Sequence, residues 1–302
     1  LNQVLEYAPA DLTATVQAGI TMERLQNSLA EHGQFLAIDP TLPDQSTVGG
    51  VLATGTSGPS KWHHGNPRDT VIGMKVVTAD GSVTKSGGQV VKNVSGYDMS
   101  RLHIGGLGTL GIITEVSFKL TPLPQKQLSV LASFNSGRTA AEASLGIFHS
   151  DLMPLAITTF DSASNTQIAT TGINGSVAAV RIAGRPATIK RCIKESATVF
   201  NQFGARNIEV FDQHDVETFW RYVSDFGWGH KDHQSILCRA NVLPSLVPDL
   251  IELIDQAPNT SGLKSNQMSH PAHGTVVIEW STKENSMTND LATTAISTII
   301  NY

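Results

Sequence analysis

Charge is scarce in this chain. Asp, Glu, Lys and Arg make up 16% of its 302 residues, and they leave a net charge of -5. That balance gives none of the basic footprint by which nucleic acid or an anionic membrane is bound. Cysteine is scarcer still: Cys192 and Cys238 lie far apart and form no CxxC pair. Four-cysteine ligation of an iron–sulfur cluster within this chain is excluded, and a disulfide has no support. No apolar run approaches the ~18 residues of a membrane span. The amino terminus lacks the basic-then-apolar pattern of a signal peptide, so a cytoplasmic chain is the default expectation. A GxSxG elbow, an HExxH helix and a GxxxxGK[ST] loop are all missing, so a hydrolase has no visible machinery.

What is present reads as an ordinary globular protein, 40% hydrophobic and long enough for two domains. "TATVQAG" at 13–19 alternates like a strand. A helix follows over 21–33, with Met22, Leu25 and Leu29 on one face, Thr21 as N-cap and Gly33 closing it. "VIGMKVVTADGSV" predicts a hairpin around Asp80-Gly81. "GIITEVSFKLTPLP" predicts a half-buried strand carrying Ile113, Val116 or Phe118, and Leu120, stopped by Pro122 and Pro124. The pattern changes near residue 124, which divides the chain into 1–124 and 125–302. Beyond it, strand-like runs beginning "QLSVLASF" and ending "TVVIEW" alternate with helical runs at 138–149, 186–203, 213–225, 244–256 and 288–301. The second part is therefore expected to be α+β, with a mixed or antiparallel sheet.

The stretch "STVGGVLATGTSG" at 46–58 carries no charge and almost no large side chain. A flexible linker would not contain Val48, Val51, Leu52 and Ala53. Ordered backbone approached closely by another segment, or by a ligand rich in acceptors, is what remains. "GLGTLG" at 106–111 satisfies GxGxxG letter for letter, but its continuation IITEVSFKL is strand-like and no acidic residue lies between Glu115 and Glu142. The Rossmann reading fails, and a tight turn feeding a strand replaces it. The pairs His230/His233 and His270/His273 have metal-ligand spacing, yet surface or loop histidine is the weightier reading; of the two, His270/His273 is the better functional candidate. In "KNVSGYDMSRL" at 92–102, Lys92, Asn93, Tyr97, Asp98 and Arg101 either offer phosphate-capable groups or begin a helix with an Asp98/Arg101 surface pair worth ~0.3 kcal/mol.

Taken in order, "LAIDPTLPDQSTVGGVLATGTSG", "PRDTVIGMKVVTADGSV", "GGQVVKNVSGYDMSRL" and "GGLGTLGIITEVSFKLTPLP" resemble the family of glycolate oxidase FAD-binding subunits, within the vanillyl-alcohol oxidase/PCMH flavoprotein superfamily. The resemblance is strong over residues 1–124 and looser beyond, where "VETFWRYVSDF" also fits. It implies a PCMH-type FAD-binding domain lacking its amino-terminal part, followed by an α+β cap or substrate domain. It implies FAD as cofactor, with the matched stretch lying along the pyrophosphate and ribityl chain: Thr47, Val48, Gly49, Gly50, Thr54, Gly55, Ser57 and Gly58. Gly111 and Ile113 would present their backbone to the cofactor. No metal and no catalytic residue is assigned, because "HPAHG" is not the His-rich catalytic signature of the sister flavoprotein chain in those oxidases.

The resemblance also implies a start after the family's first Gly-rich loop and an end before its carboxy-terminal segment. On function it implies oxidation of a small 2-hydroxy acid such as glycolate. Electrons would then pass to a sister flavoprotein subunit and an iron–sulfur subunit, in the cytoplasm or peripheral to the inner membrane through those partners. Two rivals stand beside it. One is a stand-alone sugar or aldonolactone oxidase, suggested by "ATGTSG", which resembles "TGTHG" without its histidine. The other is a non-catalytic FAD-holding assembly subunit.

Overall fold

A computed structural model describes residues 1–88, 98–167, 174–212, 214–228, 235–256 and 263–282, with isolated positions from 288 onward. Its internal contacts separate two compact units, Leu1–Leu123 and Pro124–Tyr302.

The first unit contains, in chain order, β1 (Val4–Ala8), β2 (Thr13–Gln17), α1 (Met22–Ala30), β3 (Gln34–Phe35), α2 (Val48–Thr54), α3 (Lys61–His64), α4 (Pro67–Thr70), β4 (Val71–Val77), β5 (Val83–Gly87), α5 (Ser100–His103), β6 (Ile112–Lys119) and β7 (Thr121–Pro122). Five strands form an antiparallel sheet in the order β1-β2-β6-β4-β5, and β3 pairs with β7 apart from it. The sheet buries Val16, Met74, Val116 and Phe118 against α1 and α2. Thr21 caps α1 by accepting from the Arg24 amide at 3.3 Å. Met22, Leu25 and Leu29 recur on the helix face that is removed from water, each contributing about 1.5–3 kcal/mol. Gly33 then reverses the chain at φ 67°.

The β4–β5 hairpin turns on Gly81 at φ 82°. There the Asp80 carboxylate accepts from the Thr78 hydroxyl and from the amide and hydroxyl of Ser82, which lowers its pKa to about 2. Ile113, Val116, Phe118 and Leu120 are all buried. The strand that carries the first three ends at Lys119, ahead of the prolines; Leu120 follows it, and Pro122 belongs to the short β7.

The second unit runs β8 (Lys126–Phe134), α6 (Gly137–Phe148), β9 (Ala156–Phe160), α7 (Ser162–Gln167), β10 (Ser176–Gly184), α8 (Pro186–Gln202), β11 (Asn207–Asp212), α9 (His214–Asp225), β12 (Ser235–Asn241), α10 (Val247–Gln256), β13 (Leu263–His270) and β14 (Thr275–Thr282). Its seven strands lie in the order β11-β8-β10-β9-β13-β14-β12. Of the two sheet types the sequence allows, the antiparallel one forms throughout the described residues. Val216, Phe219, Trp220 and Val223 of α9 cover one face over Leu131, Phe160 and Phe211. Leu250, Ile251 and Ile254 of α10 cover the other, over Val276, Ile278 and Trp280. The alternation of Val277 with Val276 and Ile278 across those two clusters is the period of two that a strand buried on both faces requires. Pro186 opens α8 at its first position, where no amide is needed.

Two expected features, His230/His233 and most of the run 288–301, lie outside the described residues, as do Lys92, Asn93 and Tyr97. β13 was not expected from the sequence. It is polar along its length, and Ser269 is paired within the sheet: the Thr158 hydroxyl donates to the Ser269 carbonyl at 2.9 Å, and the Thr159 and Ser269 hydroxyls are 2.5 Å apart, while Gln267 Nε2 donates to Asp255 of α10 at 2.7 Å.

Candidate cofactor site

The Gly-rich stretch is not extended. It folds into α2, capped by Thr47, whose hydroxyl accepts from the Gly50 amide at 3.2 Å. The first turn is tied to the β2–α1 connection: Val48 donates to the Ile20 carbonyl at 2.9 Å and Gly49 to the Ala18 carbonyl at 2.7 Å. Val48, Val51 and Leu52 point into the core. Gly49 packs so tightly that a Cβ would lie 2.9 Å from the Ala18 Cβ, whereas a Cβ on Gly50 would meet only the Thr47 hydroxyl, at 3.2 Å. Two glycines side by side thus answer different needs. One admits a neighbouring strand end, and the other keeps an exposed surface bare.

The helix ends on Gly55 at φ 65°, with the Gly55 amide donating to Leu52 and the Thr56 amide to Val51. The Thr54 hydroxyl donates back to the Gly50 carbonyl at 2.9 Å and lies 2.7 Å from that of Thr56. At Gly58 a Cβ would fall 1.9 Å from the Asp39 carbonyl oxygen, so only glycine fits. The Asp39 carboxylate fixes the next residues by accepting from the Ser60 amide at 2.9 Å. Between these anchored points the amides of Ser57 and Gly58 have no acceptor among the described residues. Backbone donors left open in this way are what an anionic ligand binds, and until it arrives water can hold them.

The second Gly-rich segment docks on the end of α2. Gly105 donates to the Leu52 carbonyl at 2.9 Å, joining the Gly55 amide there, and Leu107 to the Ala53 carbonyl at 2.8 Å, one of the end carbonyls a helix leaves open. A Cβ on Gly55 would lie 3.2 Å from the Gly105 Cα, so the two turns meet glycine to glycine. Gly105 and Gly108 take φ of 79° and 73°, and Leu107 follows at 52° with its side chain exposed. Gly111, at φ 152°, leaves room for β4: a Cβ there would meet Val76 Cγ1 at 2.6 Å and the Val77 oxygen at 2.8 Å. Ile113 pairs with Val76, and its side chain is buried. β6 reaches further than β2, whose pairing stops at Gln17 opposite Glu115, so Ile112 and Ile113 extend past that neighbour.

Of the ten residues the sequence singles out, the structure gathers Thr47, Val48, Gly49, Gly50, Thr54, Gly55, Ser57 and Gly58 on α2 and the loop after it. The turn at 105–108 joins that loop to the strand carrying Gly111 and Ile113. The amides of Val48, Gly49 and Gly50 already have partners inside the chain. Sequence reasoning missed Gly105, Leu107, Asp39 and Arg68; a Gly-Gly pair at 105–106 and an Arg directly after Pro67 were the available signals.

Elsewhere, Asp98 and Arg101 form an exposed pair at 2.9 Å. His270 is 7% exposed, and burial lowers its pKa to about 3, with His273 adding to the effect. Its ring bonds the Ile157 backbone, and its Nδ1 has no partner among the described residues. Burial raises Asp161 to about 6 although its carboxylate accepts from the Ser164 and Gln267 amides. Among the described residues no group of three His, Cys, Asp or Glu could hold a metal ion, and no helix is long and apolar enough to cross a membrane.

Among known proteins, residues 1–87 match the family described as FAD binding domain. FAD is the cofactor that this match indicates, and the open amides and unobstructed Gly50 surface fit a diphosphate. More particularly, the chain is 36% identical over 182 residues to glycolate oxidase subunit GlcE of Escherichia coli, covering 59% of this chain and 50% of that one. It is 36% identical over 161 residues to glycolate oxidase subunit GlcD of Bacillus subtilis, covering 53% and 34%. It is 35% identical over 142 residues to the mitochondrial cytochrome-dependent D-lactate dehydrogenase of Arabidopsis thaliana, covering 47% and 25%. The chain thus spans half or less of the length of these relatives. In fold it resembles alkyldihydroxyacetonephosphate synthase, with a TM-score of 0.76 at 20% identity over 100% of this chain and 61% of that one. A 4-ethylphenol oxidase from Gulosibacter chungangensis gives 0.68 at 17% identity over 93% and 64%. The α+β, PCMH-type fold expected from the sequence is the fold observed.

Proposed function

We propose that this chain is the FAD-binding part of a flavin-dependent oxidoreductase that converts a small 2-hydroxy acid, glycolate first among them, to the 2-oxo acid and passes the electrons to a partner chain. The observation that carries this reading is the junction in the first unit, of which residues 1–87 match the FAD-binding family. There the end of α2 is capped by the turn at Gly105, and the Ser57 and Gly58 amides stand open beside it. FAD, when bound, supplies the acceptor for the two electrons and the C2 hydrogen of the hydroxy acid. The protein's part is to hold the cofactor. The Ser57 and Gly58 amides would donate to its diphosphate, Thr54 and Thr56 would add hydroxyls, and Gly50 would let the cofactor approach the backbone. Gly111 and Ile113 contribute backbone at the strand end. Similarity to the glycolate oxidase subunits GlcD and GlcE supports both the substrate class and a multi-subunit setting; a sister flavoprotein and an iron–sulfur chain complete the proposed electron route. Peripheral association with a membrane through those partners belongs to the same reading.

The test is spectroscopic. The protein titrated with FAD, then mixed anaerobically with glycolate, D-lactate or D-2-hydroxyglutarate, should lose flavin absorbance with one of these acids once the partner chains are present. Reduction by the isolated chain with a sugar lactone would favour a stand-alone oxidase. FAD binding with no reduction under any condition would favour an assembly role. Failure to bind FAD would overturn the reading.

A further inference from the structure

The turn that caps α2 is held by a residue from a third segment. Arg68 lies in α4, whose start is fixed by the Asp69 carboxylate accepting from the Asn66 amide at 2.7 Å. From there its Nη2 donates to the carbonyl of Ile104 at 3.2 Å, directly before Gly105. A Cβ at position 105 would stand 4.0 Å from the same nitrogen. The guanidinium is therefore tethered beside the residue that caps Leu52 and touches Gly55.

Its remaining donors are unused among the described residues. A guanidinium has five N–H groups in a rigid fork. Beyond the bond to Ile104, Arg68 has no hydrogen-bond or ion-pair partner among the described residues. The neighbouring Asp69, which could have neutralised it, is turned to its own helix start. A surface arginine with no duties is common, but one edge of this guanidinium is anchored to a carbonyl flanked by the buried Ile104 side chain. That anchoring reduces the entropy lost on gripping a ligand, and a planar fork matches an oxyanion in two bonds.

We propose that Arg68 is an oxyanion-binding residue of the cofactor site: one edge positions the Gly105 turn through the Ile104 carbonyl, and the other offers charge and paired donors to an anionic group bound at the α2 junction. Resting on the FAD reading above, it takes the diphosphate as that group. The substrate's carboxylate is the alternative source of the same chemistry.

Arg68→Met and Arg68→Lys, compared with the unaltered protein, separate the cases. Three quantities are read: dissociation constants for FAD and for riboflavin, which lacks phosphate; the salt dependence of the FAD constant; and the thermal midpoint without ligand. The expected result is an FAD constant weakened at least tenfold in Arg68→Met, with a shallower salt dependence and partial recovery in Arg68→Lys. Riboflavin binding should stay unchanged, and the ligand-free midpoint should fall only slightly, through loss of the one bond to the Ile104 carbonyl. If FAD binding is unaltered while a 2-oxo or hydroxy acid perturbs the flavin spectrum at least tenfold more weakly in Arg68→Met, the oxyanion is the carboxylate and the residue's role stands. Equal weakening for FAD and riboflavin together with a lowered midpoint would mean a merely structural residue and would overturn the proposal. So would unaltered binding of both FAD and acid. Unaltered FAD binding in the variants leaves the FAD reading intact, whereas absence of binding in the parent protein removes both.

Discussion

The candidate site of the first unit and the core of the second hold open polar groups in different settings. In the first, the open donors are backbone amides of Ser57 and Gly58 on a loop that is only partly buried. In the second, they are side-chain atoms shut inside: Nδ1 of His270, Oε1 of Gln267 and Oγ of Ser164. An open amide at the surface exchanges water for ligand at little cost, so it can be kept ready for binding. A buried unpartnered atom carries a penalty of about 1–3 kcal/mol for as long as the chain stays folded. The first arrangement suits a binding site, and the second makes the seven-stranded sheet sensitive to protonation.

The largest test of this contrast sets the adjacent glycines against each other. Gly49→Val should drive its side chain into Ala18, destabilising the first unit by about 2–4 kcal/mol in denaturant titration. Gly50→Leu should leave the unfolding midpoint nearly unchanged and still abolish flavin binding. Retained flavin absorbance in Gly50→Leu would show that the exposed face of α2 is not where the cofactor lies.

Next in size is a pH effect. His270 has a folded pKa near 3, against an ordinary 6.5, so its contribution is present above pH 6.5 and is lost as pH falls toward 3. Asp161, raised to about 6 from 3.8, contributes in the reverse sense: its stabilisation is complete below 3.8 and is lost as pH rises through 6. Over the window between those values the two slopes oppose one another. His270→Gln should remove one of them, so acidification from pH 6 to 4.5 should then stabilise the variant relative to the parent by up to about 1.4 kcal/mol per pH unit. Urea midpoints measured every half pH unit decide it, and parallel curves for the two proteins would sink the assignment.

A smaller effect is expected at the rim of the first unit. Arg101→Ala breaks only an exposed pair with Asp98, and it should shift stability by about 0.3 kcal/mol, diminishing in salt. A loss several times larger would mean that this segment holds more than its own helix start.

Much of the architecture was legible because periodicity reports burial. Met22, Leu25 and Leu29 declared α1, and Thr21 declared its start. The runs at 176–184 and 186–203 match β10 and α8 closely, because the first is a short continuous apolar run through Val177–Val180 and Ile182, and the buried positions of the second repeat at three to four. β13 escaped that logic. Gln267, Ser269 and His270 are buried without being apolar, and the strand persists because β9 and β14 pair with it on both sides. α2 was hidden for another reason. Gly-Gly opposes a helix, yet the Ala18 and Ile20 carbonyls hold its first turn from outside, and no local pattern announces them. Composition alone told that the stretch must be slim. Which amides remain open depends on residues 18, 20 and 39, and the arginine that meets Ile104 lies far upstream of it.

The cap on α2 also sets an order of events. Leu52 and Gly105 are brought together only when the chain between them, with its β4–β5 hairpin, has closed. Closing so long a loop is entropically late compared with forming α1 or that hairpin. Nascent polypeptide should therefore acquire its nucleotide grip only near the end of folding. The Gly105 and Leu107 amides would be among the last in this unit to gain protection in pulsed hydrogen–deuterium exchange, so flavin would select chains that have already finished folding.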